Sequence, residues 1–255
     1  MISKTLAQLY TPKFNTKARL SSDGLPLTTV IDKLTGEPVE VAVKPMVYNN
    51  VMEQYNFLRK KKNGHYEEIG CRMFDVNRPN KKIQPGYMES SGNNRFSGIG
   101  FRMHQIAIER MMELGFDNVE IFASYDALPF HYKSGFKAVA SDELSFNDEG
   151  LKRHIQYYAN EYKIDVDIIE KFFMKNVKKV PSRDSYTFDF NKYKEDLFNY
   201  CMEHKIKLPL GSVLDMELTY PAKRLWEERI RRQPILLGID YPKPNPNKKG
   251  FEFLL

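Results

Sequence analysis

The chain has 255 residues, of which 42% are hydrophobic and 28% charged, with a formal net charge of +6. This is the composition of an ordinary globular chain, long enough to bury a substantial core, and it excludes a disordered one. No apolar run approaches the ~20 residues of a membrane-spanning helix, and the N-terminus lacks the apolar block of a secretory signal.

Cys71 and Cys201 give neither a disulfide framework nor metal-ligand spacing. A reducing cytoplasm is the default compartment, which an export signal without a hydrophobic block would override. Residues 1–26 are polar and irregular, punctuated by Pro12, Gly24 and Pro26, and read as a segment wrapping the surface. Leu27 to Asp32 and Pro38 to Val43 read as a hairpin. Tyr55 to Arg59 and Glu67 to Val76 flank Lys62-Asn63-Gly64, a strong hairpin signal, with a helix over Val51 to Arg59 as the competing reading.

A strand over Pro85 to Ser91 then runs towards Arg95-Phe96-Ser97-Gly98-Ile99-Gly100, and an amphipathic helix, Phe101 to Leu114, runs out. Two glycines at a strand-to-helix junction allow a tight turn that brings backbone N–H groups to a helix N-terminus. The orphan N–H groups and the positive helix end favour a phosphate or pyrophosphate there. Arg95 adds positive charge at the rim. A P-loop would need Lys-Ser or Lys-Thr after its last glycine, where Phe101-Arg102 stands; a dinucleotide fingerprint would need a small residue at Met103. Neither pattern is met.

The helix places Met103, Ile106, Ala107, Met111 and Leu114 on its core face, leaves His104 to the surface, and ends at Gly115. Asn118 to Ala123 is the next strand, closed by Ser124. Ala127 to Gly135 is a short helix, and Phe136 to Val139 begins another strand.

Strand, Arg-x-x-Gly-x-Gly, helix, strand, short helix ending Gly-Phe, strand: over roughly residues 53–140 this order resembles the core of the GNAT superfamily of N-acetyltransferases. The resemblance implies an α/β (α+β) fold, a mixed and mostly antiparallel sheet flanked by helices. It implies acetyl-CoA as co-substrate, no metal, and a primary amine as acceptor. Arg95, Phe96, Ser97, Gly98, Ile99 and Gly100 would hold the pyrophosphate, and Met88 and Ser90 on the fourth strand would pair with the pantetheine arm. The family's proton-donating Tyr falls at His131, beside Tyr132, and the Asn that often starts its second helix falls at Ser124. His131 as an acid and His131 as a partly buried helix residue stand level, with Tyr132 as the second candidate. Glu89 is the first candidate for general base and Glu68 the second; an acid on a strand facing solvent is the plain reading.

Residues 142–206 carry three helix patterns: Leu151, Ile155 and Tyr158; Ile169, Phe172, Phe173 and Val177; Tyr193, Leu197, Tyr200 and Cys201. Caps are expected at Asn147-Asp148-Glu149 and Asp165, and a loop at Pro181 to Ser185. Tyr157, Tyr158, Phe172 and Phe173 read as the segment's own core. Val213 to Thr219 alternates as a strand, and Pro221 starts a helix with Leu225, Trp226 and Ile230 on its face. The domain reading is 1–45 as an N-terminal extension and first hairpin, and 46–141 as the acetyl-CoA-binding core. It continues with 142–206 as a helical insertion before the last strand, and 207–255 as the last strand and helix completing the core. A separate C-terminal helical domain is the alternative.

Arg59 to Lys62 and Arg229 to Arg232 gather basic charge without the aromatic pattern or zinc spacing of a nucleic-acid module. Three functions follow: an N-acetyltransferase, an inactive acyl-CoA-binding module on the same fold, or an interaction protein whose insertion docks a protein partner.

Overall fold

The structure, a computed structural model, describes residues 17–48, 51–90, 95–139, 143–180, 185–208, 212–237 and 252–253. Residues 1–16 of the N-terminal segment lie outside them. The chain divides into two compact units, Met1–Val119 with Tyr220–Leu255, and Glu120–Thr219.

In the first unit, β1 (Leu27–Asp32) and β2 (Pro38–Tyr48) form the first hairpin, and β3 (Met52–Lys60) and β4 (Tyr66–Asn77) the second. The helix alternative over 51–59 is therefore overturned: Glu53, Tyr55 and Phe57 are buried in alternation, the period of a strand.

Where a strand is expected over Pro85 to Ser91, the shorter β6 (Met88–Ser90) stands, with Ser91 outside the described residues, and a further short strand, β5 (Lys82–Gln84), precedes it. Both pair antiparallel with β4. Between them Gly86 lies against β4, where an added Cβ would stand 2.2 Å from the Met73 carbonyl oxygen. A side chain there would push the two strands apart.

β7 (Phe96–Ser97) returns to the far edge and pairs with β1 (Ile31↔Ser97, Asp32↔Phe96). One segment, 88–97, thus flanks β4 at one end and β1 at the other, and the sheet of this unit is curled. α1 (Ile99–Leu114) follows, starting two residues before the expected Phe101 because Gly98 turns the chain directly into it. Met103, Ile106, Ala107 and Met111 are buried as expected, while Leu114 is half-buried. His104, expected at the surface, is 0% exposed. α1 is covered nearly all round, every residue from Met103 to Met111 being buried. β8 (Asn118–Ser124) begins in this unit, its Asn118 and Val119 pairing in parallel with β5.

In the second unit a short 3-10 turn (Tyr125–Ala127), α2 (Leu128–Lys133) and β9 (Phe136–Ala138) follow as expected. The segment after β9 contains β10 (Glu143–Phe146), α3 (Asp148–Tyr162), α4 (Val166–Asn176), β11 (Val177–Val180), β12 (Ser185–Asp189) and α5 (Phe190–Glu203). β13 (Val213–Leu218) then pairs with both β8 and β9, so the insertion does precede the last strand of this sheet. It is not purely helical: β10, β12 and β11 form a three-stranded sheet. Ser185 begins β12 rather than ending a loop, and residues 181–184 lie outside the described residues.

Asn147 and Asp165 cap α3 and α4, accepting from the N–H groups of Gly150 and Asp167, each at 2.8 Å. Phe173 and Tyr193 are fully buried with ring centroids 4.1 Å apart, but Tyr157, read as core, is 58% exposed.

The first unit closes with α6 (Tyr220–Arg232) and β14 (Glu252–Phe253), which pairs with β2. Trp226 stacks on Phe101 at 4.1 Å and Ile230 is buried, whereas Leu225 is 69% exposed, turned about 100° from Trp226. Among the described residues no helix is long and apolar enough to cross a membrane.

Candidate active site

Gly98 is the pivot of the site. Its φ of 88° is left-handed backbone, which side-chain-bearing residues rarely adopt, and it ends β7 and starts α1 in one step. Arg102 N–H donates to the Gly98 carbonyl at 3.0 Å, closing the first helical turn. Helix geometry leaves the N–H groups of Ile99, Gly100 and Phe101 without intrahelical acceptors. No side chain caps this end and no acidic residue lies in its first turn. Ser97 and Gly98 are exposed, Gly100 is half-buried, and Phe96 and Ile99 are buried beneath the turn.

The turn is tied down from below. Arg95 Nε donates to both carboxylate oxygens of Asp32, at 2.9 and 3.0 Å, and Nη2 adds a third bond. The Arg95 carbonyl accepts from Lys33 N–H at 2.9 Å, and the guanidinium groups of Arg59 and Arg95 lie over the Phe96 ring. The Arg95 bonds hold the Asp32 carboxyl below the usual carboxylate range. Arg95, read from the sequence as positive charge at the rim, is paired with a carboxylate that the sequence reading did not include.

β6 pairs with β4 along one edge, and among the described residues no strand pairs with its other edge. Met88 is half-buried, and Glu89 and Ser90 are exposed. Cross-strand register sets Glu89 opposite Cys71. The Glu89 carboxylate accepts from the Tyr87 hydroxyl. Burial and then the Glu89 charge raise the Glu68 carboxyl. Burial, with Glu68 and Glu89 adding, pushes the Cys71 thiol up to about 11, so it is protonated at neutral pH. Both base candidates thus share one electrostatic neighbourhood.

The remaining candidates belong to the second unit. His131 is 3% exposed, its ring set between Phe130 and Phe136 at 5.1 and 6.3 Å. The Tyr132 hydroxyl donates to Glu195 at 3.0 Å, and burial, reinforced by Glu195, raises its pKa. Ser124 is exposed at the end of β8 and makes no side-chain cap. The structure thus gathers Arg95 to Gly100 into one turn, with Met88 to Ser90 on the strand before it.

Sequence reasoning missed Asp32, the anchor of Arg95, and Glu109, which accepts from the N–H groups of Ile235, Leu236 and Leu237. The signal for Glu109 was present: a charged pair, Glu109-Arg110, sits inside an otherwise apolar helical run. Among the described residues no three His, Cys, Asp or Glu side chains gather to hold a metal ion.

No protein-family model and no curated protein matches the chain. Among solved structures it is similar to Tetrahymena GCN5, at 18% identity and a TM-score of 0.29, over 35% of this chain and 53% of that one. It thus spans about half the length of that relative. It is also similar to nourseothricin acetyltransferase, at 13% identity and a TM-score of 0.33, over 79% of this chain and 96% of that one. The chain itself combines a mixed, mostly antiparallel set of strands, a glycine turn into a helix, and an insertion between β9 and β13.

Proposed function

We propose that the protein is a GNAT-type N-acetyltransferase, moving an acetyl group from acetyl-CoA to a primary amine of a small molecule or protein by direct attack. The observation that carries this reading is the uncapped, acid-free start of α1 behind the exposed Ser97-Gly98 turn. Such an end favours a pyrophosphate, since orphan N–H groups and the helix dipole act together.

Bound there, acetyl-CoA supplies an acetyl group activated as a thioester. The backbone of Ser97 to Gly100 holds the pyrophosphate, and Arg95 keeps the turn in shape through Asp32. The open edge of β6 at Met88 and Ser90 offers backbone donors and acceptors to an extended arm. Glu89 takes the proton from the amine, with the Tyr87 hydroxyl orienting its carboxylate and Glu68 adding negative charge that attracts a cationic acceptor. Tyr132, which burial keeps protonated at neutral pH, and His131 are the two candidates for the acid that protonates a leaving thiolate.

A second reading, an acyl-CoA-binding module without turnover, is favoured by two features of the acid candidates. His131 is buried and the Tyr132 hydroxyl is already committed to Glu195. Thiol release from acetyl-CoA across a panel of primary amines separates the readings. Amine-dependent release that falls about 100-fold in Glu89→Gln, the scale of general-base catalysis, supports the enzyme. Binding without release on any amine favours the module, and absence of binding contradicts both.

A further inference from the structure

A groove of about 480 Å³ opens beside α1 in the first unit, lined by Lys17, Arg19, Arg102 and Arg232 with Thr28 and Thr29. Its size is that of a small-ligand site. Its charge is one-sided. Arg19 is paired with Glu40 at 2.8 Å, but Lys17, Arg102 and Arg232 form no ion pair among the described residues. The nearby Glu109 carboxylate is occupied by three backbone N–H groups and Gln105.

Arg102 is the organising side chain. Its Nε donates to the Thr29 carbonyl at 3.2 Å and its Nη1 to Gln105 Oε1 at 2.8 Å, so the guanidinium plane is fixed. Nη2 has no hydrogen-bond partner among the described residues. Burial lowers its pKa, and the like charges of Arg229 and Arg19 lower it further, against an opposing pull from the Glu109 charge. A cluster of cations that repel one another is destabilising without an anion, and a fixed guanidinium fork matches phosphate or carboxylate oxygens. Three cations lacking carboxylates favour a dianion over a single carboxylate. A phosphomonoester, at about −1.5 to −2 charges near neutral pH, meets that requirement.

We infer that this groove is a second anion site, built to take a phosphomonoester held by Arg102, Arg232 and Lys17. It lies close to the α1 turn: Thr29 is two residues from Ile31, which pairs with Ser97, a separation of about 7 Å along a strand. The phosphate has two sources, the ribose 3′-phosphate of CoA or a phosphomonoester on a separate ligand. The first source rests on the acetyl-CoA reading; the groove itself does not.

The test is calorimetric titration of the full chain with CoA, dephospho-CoA and inorganic phosphate, in wild type, Arg232→Gln and Arg102→Gln. Arg232 is exposed, so its replacement leaves the fold intact. Wild type that prefers CoA over dephospho-CoA about tenfold, with the preference gone in Arg232→Gln and dephospho-CoA affinity unchanged, assigns the groove to the cofactor's phosphate. CoA and dephospho-CoA binding alike, while inorganic phosphate binds wild type and is lost in both variants, assigns it to a separate phosphorylated ligand. If CoA fails to bind at all, the acetyl-CoA reading falls while the phosphate titration still decides the groove. Phosphate-dependent binding that is absent, or unchanged in both variants, overturns the inference.

Discussion

Arg95 and Asp32 lock together through three hydrogen bonds, joining the residue before β7 to the last residue of β1. The Asp32 side chain is 5% exposed, so the carboxylate is inside while the guanidinium reaches outward. The turn's shape is thereby set by β1 as well as by its own glycines, and the attraction for an anion falls chiefly to backbone N–H groups. Asp32→Asn is expected to loosen the turn and weaken acetyl-CoA binding about tenfold, the scale of one charge-assisted hydrogen bond. Its pH behaviour has a definite sign. Because Arg95 lowers the Asp32 pKa, the pair's contribution is complete above the ordinary carboxylate range and is lost as pH falls through the lowered value. Acid unfolding of Asp32→Asn against wild type checks this.

Gly98→Val should cost about 1–2 kcal/mol of stability, the penalty of a left-handed residue with a side chain, and abolish acetyl-CoA binding. Nothing lies within 4 Å of the position a Cβ would take, so the cost is conformational rather than steric. Gly98→Asn, which tolerates this backbone, is expected to retain fold and binding. Equal affinity in the valine and asparagine variants would refute the role given to the turn.

Burial of Glu109 raises its pKa from 4.5 to about 7, outweighing the N–H donors of residues 235–237 and the Gln105 amide. The folded state therefore holds a proton that the unfolded state releases earlier. Stability is expected to fall as pH climbs from about 4.5 to 7 and to level off above, by about 3 kcal/mol in all. Urea unfolding at pH 5 and pH 8 should show this loss in wild type and little of it in Glu109→Gln.

Two buried arginines should respond oppositely to methionine. Arg110 bonds Glu53 through Nε at 2.8 Å and Nη2 at 2.6 Å, and Glu53 also accepts from the Tyr55 hydroxyl at 2.6 Å. Arg110→Met strands that carboxylate in the core and should cost about 3–5 kcal/mol. Arg72 is 2% exposed, and its Nε and Nη2 meet no acceptor among the described residues; burial lowers its pKa to about 10. Arg72→Met should stabilise the protein by about 1–4 kcal/mol. Denaturant midpoints measured side by side decide both.

The hairpins, the glycine turn and the core face of α1 were legible because each is a local signal: Asn-Gly at a turn, two spaced glycines, apolar residues at helical spacing. β5 and the β10-β12-β11 sheet were not. They are three to five residues long, too short to show a period, and β10 and β5 also depend on pairing with the remote strands β12 and β8. The burial of His104 follows from covering α1 nearly all round, a tertiary fact, and the exposure of Leu225 from a one-residue rotation on a helix. The candidate site divided in the same way. The turn could be read directly, but Asp32 lies 63 positions from Arg95 and no spacing rule connects them.

The most direct measurement is calorimetric titration of the full chain with acetyl-CoA, with CoA and ATP as comparators. Micromolar binding of acetyl-CoA and CoA, but not of ATP, is the result this account requires. Binding of none of the three, or of ATP alongside the thioester, would contradict it.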